Sequence, residues 1–127
     1  KKETIYINDM VQKLAIKAGS VENNTNSLSG GNQQKIAIAK LLASDCKVLI
    51  LDEPTRGVDV GAKIEIYKII NSLVAQKYAV IMISSEMMEV IGMCDRVAVM
   101  RNGRITGELS RDELTELNLI KYSMEVS

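Results

Sequence analysis

The stretch Val48-Leu49-Ile50-Leu51-Asp52-Glu53-Pro54-Thr55 decides how this chain is read. Its apolar run, Val48 to Leu51, is short and rich in branched side chains. That predicts a strand buried on both faces of a parallel sheet. Asp52 and Glu53 then stand at the strand's carboxyl end, where open α/β sheets place their ligands. Pro54 stops the strand. Two adjacent carboxylates can divide labour. One holds Mg²⁺ directly or through water, and the other orients or deprotonates an attacking water.

Upstream lies Leu28-Ser29-Gly30-Gly31-Asn32-Gln33-Gln34-Lys35, followed by helical periodicity over Gln33 to Ala43 that groups Ile38, Leu41 and Leu42. Glycines before a helix allow close backbone approach. They also bring unpaired N–H groups and the positive end of the helix dipole to one point, which suits an anion. Ser29 adds a hydroxyl donor. An ordinary loop with a Ser N-cap would read the same way over three residues. The full run, placed before a strand that ends in Asp-Glu, points instead to nucleotide chemistry.

Downstream, Thr55 to Gly61 is a loop carrying Asp59, and Lys63 to Gln76 a helix with Ile66, Ile69, Ile70, Leu73 and Val74 as its buried stripe. Ala79 to Ile83 is a second buried strand. Strand, helix, strand implies a right-handed parallel crossover, with Ser84, Ser85 and Glu86 at the second strand's end, beside the acids. Met87 to Met93 is a short helix whose methionines fill core gaps. Arg96 to Met100 and Arg104 to Leu109 flank Asn102-Gly103 and read as a hairpin. Ser110-Arg111-Asp112-Glu113 matches a capping box that starts a terminal helix. At the other end, Lys1 to Lys17 is amphipathic and helical, with Ile7, Met10, Val11 and Leu14 on one face, and Gly19 to Asn26 is a polar loop.

The 127 residues bound the chain to one domain at most or a piece of a larger one, and a 46% apolar share is enough for a core. Sixteen basic and sixteen acidic residues cancel, which argues against a nucleic-acid footprint. No apolar run is long enough to cross a bilayer. Histidine is absent, so imidazole is removed as base or metal ligand. Cys46 and Cys94 are isolated thiols, read as small buried hydrophobes in a reducing compartment.

The run Leu28 to Lys35 resembles the signature loop of ABC ATPases. Val48 to Glu53 resembles their Walker B strand with its glutamate, and Gly57-Val58-Asp59 their D-loop. Ser85 stands where the family usually has a switch histidine. The resemblance spans about Ser27 to Leu109. Asn32 in place of the commoner Gln, Lys35 after the two glutamines, Thr55 to Lys63 after the acids, and Ser-Ser-Glu at the switch narrow it further. Together they are similar to the C-terminal half of the tandem ATP-binding subunits of bacterial ribose/galactose-type sugar importers.

The resemblance implies an α/β fold, a partial P-loop NTPase with a parallel sheet core, flanking helices and a C-terminal β-hairpin. Residues 1–27 would be a remnant of a helical subdomain, 28–109 the signature and Walker B part of the core, and 110–127 a C-terminal helix and tail. Ser29, Gly30, Gly31, Asn32 and Gln33 would contact ATP held by a partner nucleotide-binding half, and Asp52 would hold Mg²⁺. Glu53, Asp59 and Ser85 would serve catalysis. Transmembrane permease subunits and, indirectly, a periplasmic or lipoprotein sugar-binding protein would be the other partners, at the cytoplasmic face of the bacterial membrane. No Gly-Lys-Ser/Thr occurs, so the phosphate-cradling P-loop is missing and the chain reads as part of a longer subunit. Alone it would bind ATP weakly and self-associate through uncovered sheet edges. Two other readings are a soluble ABC-type ATPase of DNA repair or translation, and a non-catalytic assembly module. Neutral charge disfavours the first of these.

Overall fold

The computed structural model describes residues 30–124. The expected helix over Lys1 to Lys17, the loop before Asn26, and Leu28 and Ser29 lie outside them. In order come α1 (Gly30–Leu42), β1 (Val48–Asp52), α2 (Val60–Ala75), β2 (Ala79–Ile83), α3 (Met87–Met93), β3 (Arg96–Arg101), β4 (Arg104–Ser110), a 3₁₀ turn (Arg111–Glu113) and α4 (Glu116–Ser123). The chain falls into two units, Lys1–Ile83 and Ser84–Ser127.

In the first unit β1 and β2 pair in parallel, with Val48 opposite Ala79 and Asp52 opposite Ile83. Parallel pairing needs a crossover, and α2 supplies it. The helix packs on both α1 and β2. Ile66, Ile70 and Leu73 form its buried stripe, and with Ile38 of α1 and Leu49 and Leu51 of β1 they are the buried hydrophobic residues among those described in this unit. Val74, expected in that stripe, is exposed and Ile69 only partly buried: the two lie at opposite edges of the stripe, on either side of the narrower face that Ile66, Ile70 and Leu73 share.

The expectation that both strands are buried on both faces fails. Leu49 is 1% exposed, but its neighbours Val48 and Ile50 are 55% and 61% exposed. On β2, Ile81 and Ile83 are exposed as well. Residues in register share a face in a parallel pair, so Val48, Ile50, Ile81 and Ile83 form one apolar surface and Leu49 and Leu51 lie on the other. A continuous apolar run says that both faces suit burial, not that both are covered.

Helix α2 begins a turn earlier than the apolar period suggests. Asp59 is its N-cap, accepting from the Ala62 N–H at 2.9 Å through Oδ1. The helix ends in paired reverse bonds, Lys77 N–H to Val74 O at 3.0 Å and Tyr78 N–H to Leu73 O at 3.1 Å. This termination puts Lys77 at φ 72°, a position that favours glycine.

In the second unit β3 and β4 form an antiparallel hairpin with a register shift between Val99 and Met100. Asn102 at φ 50° and Gly103 at φ 75° make its tight turn. Val99, Leu109, Leu114 and Leu119 form the core, with Val90, Ile91, Cys94, Val97 and Tyr122 packed against it. Half-buried Cys94 has its thiol pKa raised, chiefly by desolvation and further by Asp95 and Glu89, with Arg111 opposing. The Thr106 hydroxyl donates to Tyr122 O at 2.7 Å, tying β4 to α4. Arg111 Nη1 donates to Ile91 O and Cys94 O around the end of α3.

Two expectations change here. Glu113 does accept from the Ser110 N–H and hydroxyl, at 3.0 and 2.9 Å, yet this box starts only the 3₁₀ turn. The terminal helix has its own cap, Thr115, which accepts from the Asn118 N–H at 3.2 Å. Met87 and Met88, read as core filler, are exposed, while Val90 and Ile91 of α3 pack against the unit's core.

Candidate functional site

The site is built on the turn that follows β1. Asp52 is the strand's last residue and is exposed, and Glu53 is half-buried. The Glu53 N–H donates to Ile83 O at 2.8 Å, so the sheet ladder runs one residue past the strand. Glu53 then turns the backbone at φ 47°, in the left-handed region where residues with a β-carbon carry strain. Its carbonyl accepts from the Arg56 N–H at 3.1 Å, and the Thr55 carbonyl from the Val58 N–H at 3.3 Å. Pro54 and Thr55 are buried beneath, Thr55 to 1% exposure.

Helix α1 reaches the far end of the same turn. A β-carbon built on Gly30 would lie 3.7 Å from Gly57 O and 3.8 Å from Val58 Cγ1. One on Gly31 would lie 2.6 Å from the Ala62 β-carbon. Gly31 is therefore required where α1 crosses the start of α2, a packing reason that the phosphate reading of the sequence did not contain. The first turn of α1 carries Gly30, Gly31, Asn32 and Gln33, at the positive end of the helix dipole.

The structure thus sets Gly30 against Gly57 and Val58, and Gly31 against Ala62, on the segment that runs on from Asp52 and Glu53. Ser85 belongs to the second unit and is exposed, two residues past Ile83. Ser29 lies outside the described residues. Asp59 already holds Ala62 through Oδ1, so its cap role stands alongside any other.

The donor set fits Mg²⁺, a hard cation that takes one or two carboxylates and completes its shell with water and phosphate oxygens. Asp52 and Glu53 supply that much. Among the described residues no group of three or more His, Cys, Asp or Glu could cage a metal unaided.

Sequence reasoning missed one contact. Lys35 Nζ pairs with Glu65 of α2, and Lys35 is 2% exposed. The signal was present: Gly31, Lys35 and Ile38 recur at spacings of four and three, the buried face of α1.

The ABC transporter family profile matches residues 2–56, through the Walker B acids. This chain belongs to the ABC transporter family. The xylose import ATP-binding protein XylG of Moorella thermoacetica is 60% identical over 84% of the chain and 21% of that protein. The ribose import ATP-binding protein RbsA of Caldanaerobacter subterraneus subsp. tengcongensis is 57% identical over 91% of the chain and 23% of that protein. The chain spans under a quarter of the length of these two relatives. Among solved structures, MJ1267, an ATP-binding cassette of an ABC transporter, superposes with TM-score 0.81 over 96% of this chain and 50% of its own, at 22% identity. That likeness establishes the ABC ATPase fold, α/β with a parallel sheet.

Proposed function

We propose that this chain is the part of an ABC importer's ATP-binding subunit that carries the signature helix and the Walker B acids. In that role it lends both to composite ATP sites, and the cargo is a sugar. The observation that carries this reading is the approach of Gly30 to Gly57 and Val58: the start of the glycine-led helix packs on the turn that runs on from the acids. The relatives' names, ribose and xylose import, support a pentose-class cargo.

In this reading the α1 start, with Ser29, Gly30, Gly31, Asn32 and Gln33, faces the γ-phosphate of ATP bound by a partner nucleotide-binding half. Donors already in place stabilise the charge that spreads over the transferred phosphoryl. Asp52 holds Mg²⁺ at this half's own site, and Glu53 orients and deprotonates the attacking water. Bound Mg²⁺ would neutralise charge on the β- and γ-phosphate oxygens. Asp59 keeps one carboxylate oxygen on Ala62 and offers the other across the interface. Ser85 donates a single hydrogen bond toward phosphate but cannot carry the positive charge of an imidazolium. The site with Glu53 is therefore the slower of an asymmetric pair.

The subunit works at the cytoplasmic face of the membrane, bound to permease subunits, with a sugar-binding protein acting on the outer side. Among the described residues no helix is long and apolar enough to cross a membrane.

The test is ATP turnover by the complete subunit with its permease. Glu53→Gln should lower turnover less than the equivalent change in the other half. Equal losses would remove the asymmetry. Absence of sugar-stimulated ATP hydrolysis in the wild-type assembly would remove the importer reading.

A further inference from the structure

We propose that Lys35 and Glu65 are positioning residues: their ion pair sets the angle of α1 on α2 and so aims the phosphate-facing start of α1. The inference rests on the function proposed above and adds a device that this function did not use.

Two contacts join the two helices, and a third joins α1 to the turn that leads into α2. Gly30 lies against Gly57 and Val58, Gly31 against Ala62, and Lys35 on Glu65. The first two are close backbone and methyl approaches, which fix a distance but not a rotation. A glycine facing a methyl group is a pivot. Lys35 is a full turn further along α1 on the same face, with its cation buried and Glu65 half-exposed. A buried ammonium is held firmly to its carboxylate because leaving it would strand a charge out of water. The pair therefore resists rotation about the Gly31–Ala62 contact. A one-ångström error at the α1 start is enough to misalign donors toward a phosphate.

A positioning role separates from a structural one because the two partners are unequally buried. Replacing Lys35 by Met keeps a chain of similar length at the buried position and leaves half-exposed Glu65 in contact with water, which costs less than stranding a buried charge. A purely structural pair would then show a wild-type enzyme. A positioning pair would show a stable protein with misaimed donors.

The experiment uses the complete ATP-binding subunit assembled with its permease, as Lys35→Met, Glu65→Gln and the double variant. Each is measured for melting temperature and ATP turnover. Spin labels on the exposed positions Ala37 and Lys68, in a background free of other cysteines, report the α1–α2 geometry. We expect Lys35→Met to melt like the wild type, to widen the label-to-label distance distribution, and to lose about tenfold or more in turnover. The double variant should lose no more than Lys35→Met alone. Unchanged distributions in Lys35→Met and Glu65→Gln overturn the inference, as do turnover losses that only follow melting temperature. If the wild-type assembly hydrolyses no ATP, the proposed function falls, and the label distances still decide whether the pair sets the helix angle.

Discussion

Gly31 and Ala62 meet where the signature helix crosses the start of α2, and a β-carbon on Gly31 would stand 2.6 Å from that of Ala62. Real β-carbons do not approach so closely, so one helix must shift. Gly31→Ala should destabilise by about 1–3 kcal/mol through overpacking, offset by about 1 kcal/mol of helix propensity. Ala62→Gly should restore the packing in the double variant. Urea denaturation of the four proteins checks this, and additive losses would show that the two residues do not share a contact.

Glu53 should trade stability for placement. Its φ of 47° is relieved by Glu53→Gly, which should raise stability by about 1 kcal/mol net of the added chain entropy. Lys77→Gly, at φ 72° and away from the site, serves as a control and should gain a similar amount. Glu53→Gln keeps the strain and should leave the melting temperature unchanged while reducing turnover.

Asp59 carries a local duty that is separable from any role across an interface. Asp59→Ala removes the acceptor for Ala62 N–H and should cost about 1 kcal/mol, whereas Asp59→Asn, also a good cap, should cost little. If Asp59→Asn keeps its melting temperature and loses turnover, the charge acts beyond the cap.

Gly107 is covered by the Tyr122 ring, whose Cδ1, Cγ and Cε1 atoms would lie 2.5, 2.6 and 2.8 Å from an added β-carbon. Gly107→Ala should displace α4 from the hairpin and destabilise by about 1–3 kcal/mol. Tyr122→Leu should recover part of that loss. Near-ultraviolet circular dichroism of the tyrosine would report the displacement directly.

Glu113 links the capping box to pH. Hydrogen bonds from the Ser110 backbone, then from its hydroxyl, hold the carboxyl below its ordinary value of 4.5. A depressed folded-state pKa gives stability that is present above the unfolded value and lost as pH falls through the folded one. Stability should therefore decline below about pH 4.5 more steeply in the wild type than in Glu113→Gln. Parallel acid titration curves for the two would exclude the linkage.

Much of this fold was legible in the residues. β2 spans Ala79–Ile83 and α3 spans Met87–Met93 as their apolar and turn patterns require, and Asn102-Gly103 turns the hairpin. These features are local: a turn needs particular φ values and a strand particular side chains. The start of α2 was misplaced because its first turn has little apolar period, although Asp59 was a readable cap. The capping box starts a 3₁₀ turn and not the terminal helix. Ser110 and Glu113 satisfy each other whether or not a helix continues, and Thr115 restarts it.

What the sequence determined by itself was chemistry: glycines at a helix start, two acids at a strand end, and a family that uses both. Those follow from residue types at fixed spacing along the chain. Tertiary structure alone decided which side of β1 is covered, that Gly31 exists for Ala62, and that Lys35 reaches Glu65, thirty positions away. Each depends on which surface another segment brings to it. Hydrophobic burial is non-directional, so an apolar run marks a surface fit to be covered without naming its cover, and a buried cation shows its partner only once two helices have met.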